Sequence, residues 1–296
     1  MKKINIVVIY SVIHFIVDMS CAVLLSKLIT PTVPNSSKLV LVIFLYNLFA
    51  FAFQLPFGII ADKINKNALV SACGTMLIAI AFCTSKFLVF SSIVVGIGNA
   101  LFHIGGAIDI LNISNRKASF VGIYVSTGVL GLYLGTKNGF EIITYIALSL
   151  LIISSIILAV MHQKLEGGSG INKEKTSIEK AQFSKEIIIY PLLITICIRS
   201  YLGLILNYDW KQNVINSVLA ILAVVFGKML GGVLGDKFGF KKVSMVSLLM
   251  SSALFVFSFN NAICGVLAIL MFNMTMPITC TVVSNIFEEK KAWHLA

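Results

Sequence analysis

Gly58-Ile59-Ile60-Ala61-Asp62-Lys63-Ile64-Asn65-Lys66-Asn67 lies between two long apolar runs. Gly232-Val233-Leu234-Gly235-Asp236-Lys237-Phe238-Gly239-Phe240-Lys241-Lys242 repeats its pattern, with Gly58 and Gly232 standing 174 positions apart. In both copies Asp follows Gly by four residues and Lys follows at once. A turn residue, Asn65 or Gly239, then precedes more Lys. One polar cluster recurring between apolar runs divides the chain into two related halves, as in membrane proteins built by internal duplication.

Composition agrees. Hydrophobic residues make up 58% and charged residues 12%, where a soluble domain carries about 25% charged. Mean hydropathy is +0.97. Such a chain buries its apolar surface in lipid rather than in one water-excluded core. The net charge of +11 is expected in cytoplasmic loops. No clustered basic face with stacking or groove-reading elements points to nucleic acid. Cys21, Cys73, Cys83, Cys197, Cys264 and Cys280 all lie in apolar runs and none forms a Cys-x-x-Cys pair, so neither a metal site nor a disulfide framework is expected. The run after Lys2 and Lys3 reads as a retained first helix rather than a cleaved leader.

Ten apolar runs follow in order. They cover 4–28, 38–61, 68–85, 87–112, 118–136 and 140–161, then 186–206, 213–235, 243–259 and 262–287. Residues 162–185 hold Glu166-Gly167-Gly168-Ser169-Gly170 and several lysines and read as a flexible linker. The expected architecture is an all-α polytopic membrane protein of about ten transmembrane helices in two related halves. Residues 1–161 form a six-helix bundle, 162–185 a cytoplasmic linker, and 186–296 a second bundle of about four helices. With ten spans both termini share a side. Sixteen Lys and Arg fall in the loops of that side and five in those of the other, with Arg199 and Lys228 inside runs. The excess places the termini, both repeat motifs and the linker in the cytoplasm.

A few titratable residues interrupt the runs. His14 and Asp18 are four apart and share a helical face, and a carboxylate at membrane depth faces a bundle interior or an aqueous cavity. The pair is a proton- or substrate-binding site, or a packing hydrogen bond. His103 lies among Gly96, Gly98, Gly105 and Gly106 and serves proton coupling or a structural bond. Asp109 pairs with Arg116 or Lys117. Arg199 holds an anionic substrate or pairs with Asp18. Lys228, near a helix end, snorkels to the interface. Tyr208 and Trp210 stand where an aromatic belt would lie.

The doubled Gly-x-x-x-Asp-Lys-x-(Gly/Asn)-x-Lys pattern resembles the signature loop of major facilitator superfamily transporters, and six runs, a linker and further related runs resemble that family's plan. Asn65 stands where the family usually has Gly, and Lys63 where it often has Arg. The resemblance implies a gating role for Gly58, Asp62, Lys63, Gly232, Asp236, Lys237 and Gly239. His14-Phe15-x-x-Asp18 and Phe102-His103-x-Gly105 are similar to the fosmidomycin-resistance branch of drug exporters, with Ile104 in place of its usual Pro. Gly128, Gly131 and Gly135 resemble the family's antiporter motif without its proline. The family has twelve helices, so the chain looks like one lacking the last pair.

The expected function is secondary transport by alternating access: proton-coupled efflux of a small amphipathic compound across the cell (inner) membrane. No cofactor is expected beyond the proton gradient, and the expected partners are the lipid bilayer and a small-molecule substrate, not nucleic acid. His14, Asp18, His103 and Arg199 are its expected proton and substrate ligands. The alternative is a truncated, non-transporting membrane protein or a partner subunit. No nucleophile–base or metal-ligand spacing points to an enzyme, and no Gly-x-x-x-x-Gly-Lys-Ser/Thr stretch to an ATP-driven pump.

Overall fold

A computed structural model describes residues 3–115, 117–137, 142–166, 194 and 208–293. For Leu55, Asp62, 164–166 and 286–293 it describes the backbone alone. Every regular element among the described residues is helical. They are α1 (Lys3–Val23), α2 (Ser36–Asn47), α3 (Gln54–Ile64), α4 (Asn67–Cys83), α5 (Leu88–Ile113), α6 (Ala118–Thr136), α7 (Ile142–Glu166), α8 (Val214–Phe238), α9 (Phe240–Phe257), α10 (Ala262–Asn273) and α11 (Thr275–Trp293). Among the described residues, seven stretches are long and apolar enough to cross a membrane. The chain is therefore read as a multi-pass membrane protein.

The seven are runs one, four, five, six, eight, nine and ten of the sequence. Run seven, 186–206, lies outside the described residues except for Ile194, as does most of the 162–185 linker. Runs two and three fall short. α4 has 17 residues and rises about 26 Å at 1.5 Å per residue, against a hydrocarbon core of about 30 Å. Run two is not one helix. It passes from α2 through a π turn at Leu48–Ala52 to a joint at Phe53, where α3 starts. Pro56 is the third residue of α3, where a missing N–H costs no helical bond; within an unbroken helix it would forfeit one. Run ten is jointed likewise, with Met274 between α10 and α11 and Pro277 third in α11.

Local chemistry starts and ends these helices. The Asn35 side chain caps α2 by accepting from the Lys38 N–H at 2.9 Å. Asn213 and Asn261 cap α8 and α10 in the same way. Both repeat motifs close a helix on a residue with positive φ: Asn65 at φ 55° after α3, and Gly239 at φ 90° after α8. Asn tolerates the left-handed well that Gly occupies freely. Asn65 occupies that well at ψ 31°, whereas Gly239 lies outside it at ψ 138°, so the two variants share a positive φ and differ in the path the chain then takes.

The chain falls into two compact units, Met1–Ser114 with Thr127–Ser169, and Asn115–Ser126 with Gly170–Ala296. Helix α6 contributes its start to the second and its remainder to the first. In the first unit α5 is central and touches α1, α2, α3 and α4. It remains one helix through Gly96, Gly98 and Gly105, so these glycines serve packing rather than a break. A Cβ on Gly98 would lie 2.7 Å from the Gly74 carbonyl oxygen of α4; small residues allow this backbone approach. Outward, α7 exposes Ile142, Ile146, Ile153, Ile156 and Val160. Each such side chain contributes about 0.3–0.6 kcal/mol to residence in lipid.

In the second unit α8 packs on α9, α10 and α11. Tyr208 stacks on Trp210 at 5.4 Å, and the Trp210 indole N–H donates to the Ser258 carbonyl at 2.8 Å. This ties the turn before α8 to the turn between α9 and α10, where interfacial aromatics belong. Lys211 lies over both rings, and burial pushes its ammonium pKa down.

Candidate functional site

Helix α1 carries Tyr10, His14 and Asp18 at four-residue spacing, hence on one face. Helix α5 presents His103 to that face. His14 Nε2 lies 3.0 Å from His103 Nε2. The Asp18 carboxylate closes the group, with Oδ2 at 3.3 Å from His14 Nε2 and Oδ1 at 3.5 Å from His103 Nε2. His14 is buried, its side chain 5% exposed, whereas Asp18 and His103 retain 21% and 25%. The two imidazoles meet edge to face at 4.7 Å, and the Phe102 ring lies 5.9 Å from His14.

Helix α6 brings these groups within reach. Gly128, Gly131 and Gly135 lie against α1. A Cβ on Gly128 would meet Asp18 Oδ2 and stand 2.5 Å from His14 Nε2, and one on Gly131 would meet the Phe15 carbonyl. The Thr127 hydroxyl donates to the Ser11 carbonyl at 2.7 Å beside them. The glycine series therefore lets α6 lie directly on the α1 backbone and against the triad.

A second layer orients the first. His103 Nδ1 lies 2.9 Å from the Asn99 carbonyl oxygen. That oxygen can only accept, so Nδ1 carries the hydrogen. In the neutral ring Nε2 then offers a lone pair, and a hydrogen between the two Nε2 atoms comes from His14. The Asn99 side chain donates to the Tyr46 hydroxyl at 2.9 Å. One turn before His14, the Tyr10 hydroxyl donates to Asp109 Oδ2 at 2.5 Å, and Asn67 also bonds that carboxylate. An ionised Asp in an isolated membrane helix costs about 2.5–3.5 kcal/mol. Both intramembrane carboxylates, Asp18 and Asp109, meet that cost with partners on other helices.

The second repeat motif has an explicit structural role. Asp236 Oδ1 accepts from the Ala118 N–H and Oδ2 from the Ser119 N–H, each at 2.9 Å. The carboxylate thus caps the start of α6, satisfying two open donors and meeting the positive end of the helix. A Cβ on Gly232 would strike the Ala118 carbonyl, so that glycine permits the approach. Lys237 is exposed and lies 5.2 Å over the Phe238 ring. In the first copy Gly58 faces Ile104, with 3.7 Å available to a Cβ, and Lys63 is exposed. The Asp62 side chain and all of Arg199 lie outside the described residues.

Two sequence expectations are corrected. Lys228 does not snorkel. It is buried, and its ammonium donates to the Val125 carbonyl of α6 at 3.2 Å. Gly122 makes this possible, because a Cβ there would meet the Lys228 carbonyl oxygen. Asp109 turns inward to Tyr10 and Asn67 rather than to Lys117, which is exposed; Arg116 lies outside the described residues. Sequence reasoning missed Tyr10, Tyr46, Asn67 and Asn99 as partners. The four-residue spacings Tyr10–His14 and Asn99–His103 were the available signals.

No known family model matches the chain, and no curated protein matches it.

Proposed function

We propose that the chain is a secondary transporter that works by alternating access and exports a small amphipathic compound in exchange for protons. The supporting observation is the His14–Asp18–His103 triad, set in helices that are otherwise apolar. One hydrogen between the two Nε2 atoms leaves the group with the charge of the Asp18 carboxylate. A second proton makes an imidazolium beside that carboxylate, and the net charge falls to zero. A neutral site costs less to enclose in a low-dielectric bundle than a charged one. Proton binding therefore shifts the balance between conformations that open the site and those that occlude it. Asp236, seated on the start of α6, is a contact that such a change would make and break, and Asp62 would act likewise. Arg199 would supply counter-charge to cargo. In this reading the termini lie on the cytoplasmic side of the cell membrane, which the excess of Lys and Arg in the loops of that side supports.

The test is flux in proteoliposomes that enclose a pH-sensitive dye. An imposed proton gradient should drive uptake or release of an amphipathic anion, and Asp18→Asn should abolish it. Undiminished flux in that variant would remove Asp18 from the coupling site. No gradient-driven flux by the folded native chain would overturn the transport reading itself.

A further inference from the structure

We infer that His14 Nε2, His103 Nε2 and the Asp18 carboxylate form a binding site for a divalent transition-metal cation of the zinc type. Their ligand atoms all lie within 4.8 Å of one another, and the spacing is informative. A cation with donors at about 2.1 Å holds them about 3.0 Å apart at right angles and about 3.4 Å apart at the tetrahedral angle. The two imidazole nitrogens stand 3.0 Å apart, and each faces a different oxygen of the same carboxylate, His14 Nε2 with Oδ2 at 3.3 Å and His103 Nε2 with Oδ1 at 3.5 Å. Rotation of the Asp18 carboxylate presents one or both oxygens to a cation held between the nitrogens.

Three further features fit an ion. The Nδ1–H of His103 is held by the Asn99 carbonyl, which turns the Nε2 lone pair toward the other donors, and His14 Nε2 becomes a ligand when its hydrogen moves to Nδ1. A ligating histidine is ordinarily oriented this way. Gly128 lets Asp18 Oδ2 and His14 Nε2 sit directly against α6, where any Cβ would overlap both donors. Asp18 and His103 are partly exposed, so water or a cargo atom can supply the remaining ligands, as in zinc sites with an open position. Two imidazoles and one carboxylate favour zinc, copper, nickel, cobalt or iron over magnesium and calcium, which take oxygen donors. A dipositive ion beside a single carboxylate leaves one net charge at membrane depth, which favours exchangeable over permanent binding. The inference goes beyond the transport reading and does not depend on it.

The experiment titrates Co2+ and then Zn2+ into the purified, tag-free chain in detergent. Cobalt should give visible d–d absorption without the thiolate charge-transfer band that a cysteine ligand would add, and one equivalent of Zn2+ should abolish it. Asp18→Asn and His103→Gln should each weaken Zn2+ binding by at least about 10–100-fold, the loss seen for a mere outer-shell partner. A second measurement needs no variant: one equivalent of Zn2+ should protect His14 and His103, but not His162, from diethylpyrocarbonate, read by mass spectrometry. Absence of saturable binding would overturn the inference. So would one-equivalent binding of unchanged affinity in both folded variants, or Zn2+ that leaves His14 and His103 as reactive as before. Because these readouts involve no flux, failure here leaves the transport reading standing, and failure of transport leaves the metal site standing.

Discussion

Replacing Asp236 with alanine removes two charge-assisted hydrogen bonds at 2.9 Å, to the Ala118 and Ser119 N–H groups. Loss of a helix-capping acceptor costs about 0.5–2 kcal/mol, and loss of a negative charge at a helix start costs about 0.3–1 kcal/mol more. Asp236 is exposed, so water and salt recover part of both. The expected local cost is therefore about 1–2 kcal/mol. Asp236→Asn keeps an acceptor but loses the charge, and should cost about half as much. The assay is hydrogen–deuterium exchange of the purified chain, read on peptides covering 118–126. A local loss of 1–2 kcal/mol corresponds to exchange roughly 5–30 times faster, ordered alanine, then asparagine, then native. The acceleration should shrink at high salt, where the charge contribution is screened. Native exchange rates at Ala118 and Ser119 in the alanine variant would refute the capping role. Equal acceleration everywhere in α6 would show a global effect rather than a local one.

Other expectations follow from close packing and backbone conformation. Gly131→Leu drives a side chain into the Phe15 carbonyl of α1; overpacking of this kind costs about 1–3 kcal/mol and should lower the thermal midpoint in detergent. Gly128→Ala should leave the helical circular dichroism intact yet abolish Zn2+ protection of His14, since its methyl group would overlap Asp18 Oδ2 and His14 Nε2 and push the donors apart. Asn65→Gly should be neutral to melting, whereas Asn65→Val should cost about 1–2 kcal/mol, because a β-branched residue does not suit φ 55°.

The membrane class is legible in composition and in the lengths of the apolar runs, because lipid demands about 20 apolar residues per crossing and leaves the polar segments outside. Seven of the runs appear as long apolar helices. The stops at Asn65 and Gly239 are legible too, since few residues accept positive φ. The joints in runs two and ten were less so. Pro56 and Pro277 were visible, but a proline can kink a helix or begin one, and hydropathy does not distinguish the two. Half of the site was also readable. His14 and Asp18 share a face of α1 by the helical period alone.

Everything that joins one helix to another required the tertiary structure. His103 meets His14 across 89 positions of sequence. Asp236 reaches Ala118 rather than a neighbouring lysine, Lys228 reaches Val125, and Asp109 reaches Tyr10. The amino-acid sequence by itself determines which segments enter lipid, where they stop and which residues share a face, because these depend on local backbone preference and transfer free energy. Which faces meet is decided by packing, where glycines such as Gly122 and Gly128 allow one helix to approach another and buried polar groups such as Lys228 and Asp109 find partners on other helices.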